Sequence, residues 1–121
     1  MSTVKANDLM KVDGGIPTVK GQQLIPTAWV NFNGTSTVAI RDSENVSSIT
    51  DNAVGKYTVN FTTNMSNINY GYAAGGWSDR VIGLQPGVEL TTSAIAINSY
   101  NTATAYSDSG FIGLVIMGGQ S

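Results

Sequence analysis

The sequence predicts an all-β fold, a small antiparallel β-sandwich or barrel-like sandwich preceded by an extended N-terminal arm. Three observations support this prediction. Short segments alternate apolar and polar residues, turn residues separate these segments every 8–12 positions, and no segment of 11 or more residues has helical apolar spacing. The length of 121 residues fits one domain. We therefore expect an arm over residues 1–26 and a sandwich body over residues 27–121.

The body opens with a predicted hairpin. Thr27–Asn33 and Thr37–Arg41 both alternate in character, and Val38 and Ile40 are expected to face the core. The dipeptide Asn33-Gly34 lies between them and is a strong hairpin signal, because both residues tolerate positive φ. The sequence therefore predicts a tight turn at this dipeptide.

The clearest strand of the body is Tyr57–Thr62, in which Tyr57, Val59 and Phe61 share one face. The other predicted strands are Asn69–Ala73, Arg80–Leu84, Val88–Asn98 and Phe111–Met117. Residues 42–45 and 74–79 are predicted as loops, and residues 100–106 as either strand or loop. The segment Phe111–Met117 is apolar on both faces, which indicates a strand that is central in a sheet or buried at an interface.

Composition excludes several classes of function. The net charge is −2 and the six basic residues are scattered, so nucleic-acid binding by phosphate neutralisation is not expected. The chain has no cysteine and no histidine, which removes thiolate metal sites and the usual general base. Asp42, Glu44 and Asp51 do not have the spacing of a calcium loop. No apolar stretch approaches the ~20 residues that span a membrane. We expect no cofactor, no enzymatic activity and no membrane insertion.

The arm has too few apolar residues to form a core of its own. We therefore expect it to lie extended on the surface of another protein and to act as an anchor, with main-chain hydrogen bonds supplying affinity. The candidate anchor residues are Val4, Leu9, Val12, Ile16 and Val19.

Aromatic residues supply the candidate contact sites. Trp77 lies in a glycine-rich segment beside Ser78, Asp79 and Arg80, and an aromatic face with polar neighbours can hold a sugar, although such loops also cap cores. The candidates for glycan or partner contact are Trp77, Tyr70, Tyr72, Tyr100 and Tyr106. Large aromatics also dominate interface energetics. The candidates for a subunit interface are Trp29, Phe111, Ile112, Leu114 and Ile116.

The segment from Ala28 to Tyr72 resembles a module of tailed-bacteriophage virion proteins, among them tail-fibre proteins. The resemblance rests on three ordered blocks, Ala28–Gly34 (AWVNFNG), Asn45–Asp51 (NVSSITD) and Gly55–Phe61 (GKYTVNF). The arm also resembles the leading segments that attach some phage fibres and decoration proteins to the particle.

The resemblance implies a virion protein, assembled in the host cytoplasm, that forms a homotrimer and contacts other virion proteins of the capsid or tail through its arm. It supplies no catalytic residues. Two roles stay open at this point, a tail fibre and a capsid-decoration or head-fibre protein, and the short chain favours decoration or a small fibre. The alternative is a free carbohydrate-binding module that contacts host-surface glycans through Trp77 and the tyrosines.

Overall fold

The structure is a computed structural model that describes residues 3, 5–12, 15–23, 25–87 and 90–120; the side chain of Val19 also lies outside this description. All regular structure in these residues is β, and no helix among them could cross a membrane. The strands are β1 (Thr18–Val19), β2 (Gln22–Gln23), β3 (Ala28–Asn33), β4 (Ala39–Glu44), β5 (Val46–Ala53), β6 (Lys56–Phe61), β7 (Tyr70–Gly76), β8 (Arg80–Leu84), β9 (Ala94–Asn101) and β10 (Ile112–Gly118).

The predicted β-sandwich is confirmed. Two four-stranded antiparallel sheets pack face to face, a first sheet of order β4-β3-β10-β7 and a second sheet of order β5-β6-β9-β8. The chain passes from one sheet to the other between β4 and β5, β6 and β7, β7 and β8, and β9 and β10. Strands β7 to β10 form a Greek key, since β10 returns to lie beside β7.

Alternation along the strands builds the core between the sheets. In β3 the side chains of Ala28, Val30 and Phe32 are buried, and the residues between them face outward. Strand β6 behaves in the same way, so the faces predicted for Tyr57, Val59 and Phe61 are confirmed. Two edge-to-face aromatic contacts join the sheets, Phe32 with Tyr57 at 5.4 Å and Phe61 with Tyr70 at 5.9 Å between ring centroids.

The first hairpin forms, but the turn predicted at Asn33-Gly34 is wrong. Residues 34–38 make a longer loop, and the positive φ falls on Ser36. The Asn33 side chain instead accepts hydrogen bonds from the backbone N–H and the hydroxyl of Thr35. Gly34 is needed for space, because a Cβ there would lie 2.5 Å from the hydroxyl oxygen of Tyr57.

Residues 42–44, predicted as a loop, belong to strand β4. This strand lies at the edge of its sheet, where polar side chains can face solvent, and a register shift between Asn31 and Phe32 bulges its pairing with β3. The single residue Asn45, at a φ of 56°, turns the chain directly from β4 into β5. Polarity therefore indicated a loop where the structure has a sheet edge.

Two other boundaries differ from the prediction. Strand β7 continues through Ala74–Gly76, and β9 begins at Ala94 rather than Val88, with residues 91–93 in a turn. Val88 and Glu89 lie outside the described residues. Residues 100–106 divide between the end of β9 and a reversal in which Tyr106 bridges back to Tyr100.

Strand β10 is central in its sheet, as its apolar character predicted. The prediction that Ile112, Leu114 and Ile116 form a subunit interface requires correction, because these side chains fill the core of the chain itself. The outward side chains are those between them, including Val115, which is 41% exposed. Alternation along a strand sends neighbouring residues to opposite faces, so only every second residue can serve another subunit.

Because Leu114 faces inward and its neighbour Val115 faces outward, substitutions at these two positions can be compared on one strand. We expect Leu114→Ala to lower the free energy of unfolding by about 2–5 kcal/mol, because it leaves a cavity between the sheets. Val115→Ala should change it by less than about 0.5 kcal/mol in the isolated chain. Urea denaturation of both variants measures the difference. Equal losses would show that β10 is not oriented as described.

Candidate functional site

The two ends of the sandwich carry different sets of connections. One end, the distal pole, carries the connections made by residues 34–38, 54–55, 77–79 and 102–111. The other end, the arm pole, carries Asn45, residues 62–69, the link between β8 and β9, the tail after Gly118 and the N-terminal arm. The antiparallel pairing places these two sets of connections at opposite ends of the body.

The centre of the distal pole is a buried phenol. The hydroxyl oxygen of Tyr57 lies 2.7 Å from the carbonyl oxygen of Gly34 and 2.8 Å from Oδ1 of Asp108, so its one proton serves two acceptors. The backbone N–H of Gly55 also donates to Asp108 Oδ1, at 2.8 Å. The Asp108 carboxylate thereby joins the β5–β6 turn to the β9–β10 loop. The Tyr57 hydroxyl joins the β3–β4 loop to both.

The segment that carries Asp108 is held along its length. Arg80 Nε donates to the carbonyl oxygen of Asp108 at 2.8 Å, and Arg41 Nη2 donates to that of Gly110 at 2.6 Å. The N–H of Gly34 donates to the carbonyl oxygen of Ser109 at 2.9 Å, and Ser109 is fully buried. Residues 108–110 are therefore fastened to the rest of the distal pole by hydrogen bonds.

Trp77 lies at the edge of the distal pole and is 46% exposed. Its indole packs against Gly110, where a Cβ would come within 2.1 Å of ring atom Cζ2. The Arg80 guanidinium lies 5.5 Å from the ring centroid and is paired with Asp79 at 2.9 Å. The sequence correctly grouped Trp77, Asp79 and Arg80, but much of the indole already contacts the chain itself.

Tyr100 and Tyr106 form a second aromatic site at the distal pole. Their rings stack with centroids 4.7 Å apart, and Lys56 Nζ lies 4.5 Å from the Tyr106 centroid. The Tyr100 hydroxyl donates to that of Tyr106 and accepts a hydrogen bond from Asn98 Nδ2. The hydrogen bond with Tyr100, together with burial, raises the pKa of Tyr106. Both rings therefore have partners within the chain.

Tyr70 and Tyr72 require a correction, because they do not belong to the exposed aromatic set. Tyr70 is buried at the arm-pole end of β7, and its hydroxyl donates toward the carbonyl oxygens of Thr91 and Ala94. Tyr72 packs half-buried against the same core. Both side chains point toward the core, and the buried Tyr70 is unavailable to a glycan.

The arm pole is organised by Gln23. Its Oε1 accepts hydrogen bonds from the N–H of Gly118 and from Gln120, and its Nε2 donates to Thr27. The β1–β2 hairpin that carries Gln23 turns through Lys20 and Gly21, both at positive φ, as a tight hairpin requires. One short hairpin thus fastens the arm to the end of the central strand β10.

A cleft of about 850 Å³ opens between the arm and the body. It is lined by arm residues that include Leu9 and Ile16, by Asn45 and Met65 of the body, and by the tail at Gly119. Of the other candidate anchor residues, Val12 is fully exposed at 111% of its reference area. Val4 and the Val19 side chain lie outside the described residues.

Among the described residues, no group of three or more histidine, cysteine, aspartate or glutamate side chains is placed to hold a metal ion. Asp108 already accepts two hydrogen bonds, and burial together with Asp108 raises the pKa of the Tyr57 hydroxyl. A phenol that resists ionisation is a poor acid or nucleophile near neutral pH. The buried polar groups of this pole hold loops together.

Comparison of the chain with protein-family models, with curated proteins and with solved structures gives no match. The resemblance of Ala28–Tyr72 to phage virion proteins therefore stays a prediction, and the site is interpreted from its own geometry.

Sequence reasoning missed Asp108, which it treated as an isolated carboxylate, and Gln23. Each acts through partners more than 50 residues away in the sequence, Tyr57 for Asp108 and Gly118 for Gln23. A polar residue between apolar segments carries no local sign of such a partner.

Two buried tyrosines make stability sensitive to alkaline pH. Burial raises the pKa of both Tyr57 and Tyr70 above the ordinary value of about 10. Their contribution is complete below pH ~10 and is lost as pH rises, since the unfolded chain releases these protons first. We expect the unfolding temperature to fall above pH ~10, with the two phenolates appearing only on unfolding, as measured by tyrosinate absorbance.

Tyr57→Phe tests the hydroxyl directly. It should cost about 1–3 kcal/mol of stability at neutral pH, because Asp108 and Gly34 each lose a buried donor. It should also weaken the alkaline dependence. Tyr106→Phe, which removes an exposed hydroxyl, is the matched control; the same loss in both variants would contradict the role assigned to Tyr57.

Proposed function

We propose that this chain is a small structural protein of a tailed-bacteriophage particle, attached by its N-terminal arm, with its body displayed on the particle surface and in contact with further copies. The identification with phage comes from the resemblance of the Ala28–Tyr72 segment. The observation that carries the attachment is the exposure of the arm's apolar side chains. Leu9 and Met10 are 71% and 69% exposed, and Val12 is fully exposed.

Those side chains bury little of their surface in the fold of their own chain. An apolar residue that leaves water contributes about 25 cal/mol per Å² of buried area, so an arm with three such neighbours favours a partner surface. The arm also joins the body at the arm pole, opposite the distal pole. Attachment through the arm would therefore direct the distal pole away from the particle.

An arm that attaches and a distal pole that faces away from the particle favour a protein that reinforces or decorates a surface. The copy number on the particle distinguishes the two open roles, since many copies on the head would indicate capsid decoration and a few at the tail would indicate a fibre. The homotrimer implied by the resemblance is a further part of the proposal, and the mass of the purified chain tests it.

Substitutions in the arm test the attachment. Leu9→Asp combined with Val12→Asp should abolish binding to particles assembled without this chain, because it puts charge into an apolar contact. The unfolding temperature should not change, since neither side chain is buried in the free protein. Binding is measured by co-sedimentation with the particles.

Val54→Asp is the matched control, because Val54 is equally apolar, is exposed, and lies in the β5–β6 turn at the distal pole. Loss of binding in the control alone would reverse the proposed orientation. Full binding by the arm variant would refute attachment through residues 9–12.

The alternative of a free carbohydrate-binding module is favoured by the partly exposed indole of Trp77 beside Asp79 and Arg80. It predicts that Trp77→Ala weakens binding to host-surface glycans roughly fivefold or more, the value of about 1 kcal/mol of lost aromatic contact. A glycan array with Val81→Ala as control measures this. If Trp77→Ala binds glycans as the unaltered chain does, or if neither protein binds any glycan, the carbohydrate-binding alternative is refuted.

A further inference from the structure

The sequence contains one Asn-Gly dipeptide, Asn33-Gly34, and the fold does not use it as a tight turn. Strand β3 ends at Asn33, and Gly34 begins the connection to β4. The dipeptide also has a chemical property, since the backbone nitrogen of the glycine can attack the side-chain amide of the asparagine. This attack is fastest before glycine, because glycine has no Cβ to hinder the approach. The surroundings of Asn33 therefore decide whether the reaction occurs.

The reaction is deamidation, and its only co-reactant is water. The Gly34 nitrogen forms a bond to Cγ of Asn33, the Cγ–Nδ2 bond breaks, and ammonia leaves with the proton of the Gly34 N–H. Water then opens the resulting succinimide ring at either of its carbonyl carbons. The product is aspartate or isoaspartate in place of Asn33, and no atom is oxidised or reduced.

The nucleophile of this reaction is held in the folded chain. The N–H of buried Gly34 donates to the carbonyl oxygen of Ser109 at 2.9 Å, and Ser109 is fully buried. The carbonyl oxygen of Gly34 accepts the hydrogen bond of the Tyr57 hydroxyl at 2.7 Å. Attack on Asn33 requires the Gly34 nitrogen to leave this position, and the loss of buried hydrogen bonds opposes that movement.

The side-chain amide of Asn33 is held as well. Its Oδ1 accepts hydrogen bonds from the backbone N–H and the hydroxyl of Thr35 at 3.1 and 2.7 Å. Its Nδ2 donates to the carbonyl oxygens of Thr35 and Thr37 at 3.1 and 3.4 Å. Ring closure requires this side chain to turn back toward the Gly34 nitrogen and to give up these bonds. Both reacting groups are therefore bound to other partners.

We propose that Asn33 is a deamidation site that the closed distal pole protects and that opening of this pole makes reactive. The contact between Tyr57 and Asp108 controls the reaction, because it holds both Gly34 and the segment that contains Ser109. The reaction then proceeds from molecules in which this pole has opened. Its rate follows the population of the open form.

The product does not fit the closed pole. Aspartate in place of Asn33 lacks the Nδ2 donor that serves Thr35 and Thr37. Isoaspartate adds a carbon atom to the backbone directly before Gly34, which displaces Gly34 from Ser109 and Tyr57. Deamidation would therefore make a reversible opening of the distal pole permanent. This inference is independent of the proposed function, which concerns the arm and the setting of the body.

Peptide mapping by mass spectrometry of the full chain, incubated near neutral pH, tests the protection. The peptide that contains Asn33 gains the mass difference between an OH and an NH₂ group when it deamidates. We expect this gain to be at least about tenfold slower in the folded chain than in the chain unfolded in urea, because only opened molecules react. Equal rates in the two states would overturn the inference.

Tyr57→Phe connects the reaction to the distal pole. The variant loses the hydrogen bonds to Gly34 and Asp108, so deamidation of the folded chain should become about fivefold faster or more, with no change in urea. Tyr106→Phe is the control and should react as the unaltered chain does. Arg41→Ala, which removes a hydrogen bond to Gly110 beside Ser109, should act in the same direction if Tyr57→Phe does not fold. An unchanged rate in the variant that folds would overturn the inference.

Asn33→Asp tests the effect of the product, because it carries the new carboxylate from the start. We expect a lower unfolding temperature than that of the unaltered chain. Asn31→Asp is the matched control on the same strand and face, and it should not lower the unfolding temperature, since its side chain still accepts the hydrogen bond from Arg41. An unfolding temperature unchanged by Asn33→Asp would refute the permanent opening. All these measurements use the free chain, so the arm attachment is judged separately.

Discussion

The buried hydroxyl of Tyr57 is the interaction on which the distal half of the molecule depends. The ring lies in the core against Phe32, and the hydroxyl extends to the end of the sandwich, where Gly34 and Asp108 accept its hydrogen bonds. A buried polar group that loses its partner costs about 1–3 kcal/mol, a large fraction of the stability of a small domain. One phenol and one carboxylate therefore join the β3–β4, β5–β6 and β9–β10 connections at this pole.

Several local features follow from that constraint. Gly34 has no side chain because the phenol occupies the space where a Cβ would lie. Gly55 donates to the carboxylate and approaches the backbone of Ser99 and Ser107 too closely for a Cβ. The loop after β9 is long because it must bring Asp108 inward and then return to the central strand β10. The connections at this pole are thus held together by buried hydrogen bonds.

The arm pole is held by different contacts from those of the distal pole. Gln23 and Thr27 bind the end of β10 through side-chain hydrogen bonds, while the apolar residues further out remain in contact with water. A body stabilised at one end and an arm fastened by polar contacts at the other suit a protein that is held at one end.

The sequence by itself determined the fold class, the inward faces of β3 and β6, and the central place of β10, because side-chain alternation with period two is a local property. It also grouped Trp77 with Asp79 and Arg80, which are neighbours in the chain. Only the tertiary structure decided that Asp108 and Gln23 are structural residues, that Tyr70 is buried, and that Ile112, Leu114 and Ile116 face inward while Val115 faces outward. Those outcomes depend on partners far apart in sequence and on which face of each strand meets the opposite sheet, and no local pattern contains that information.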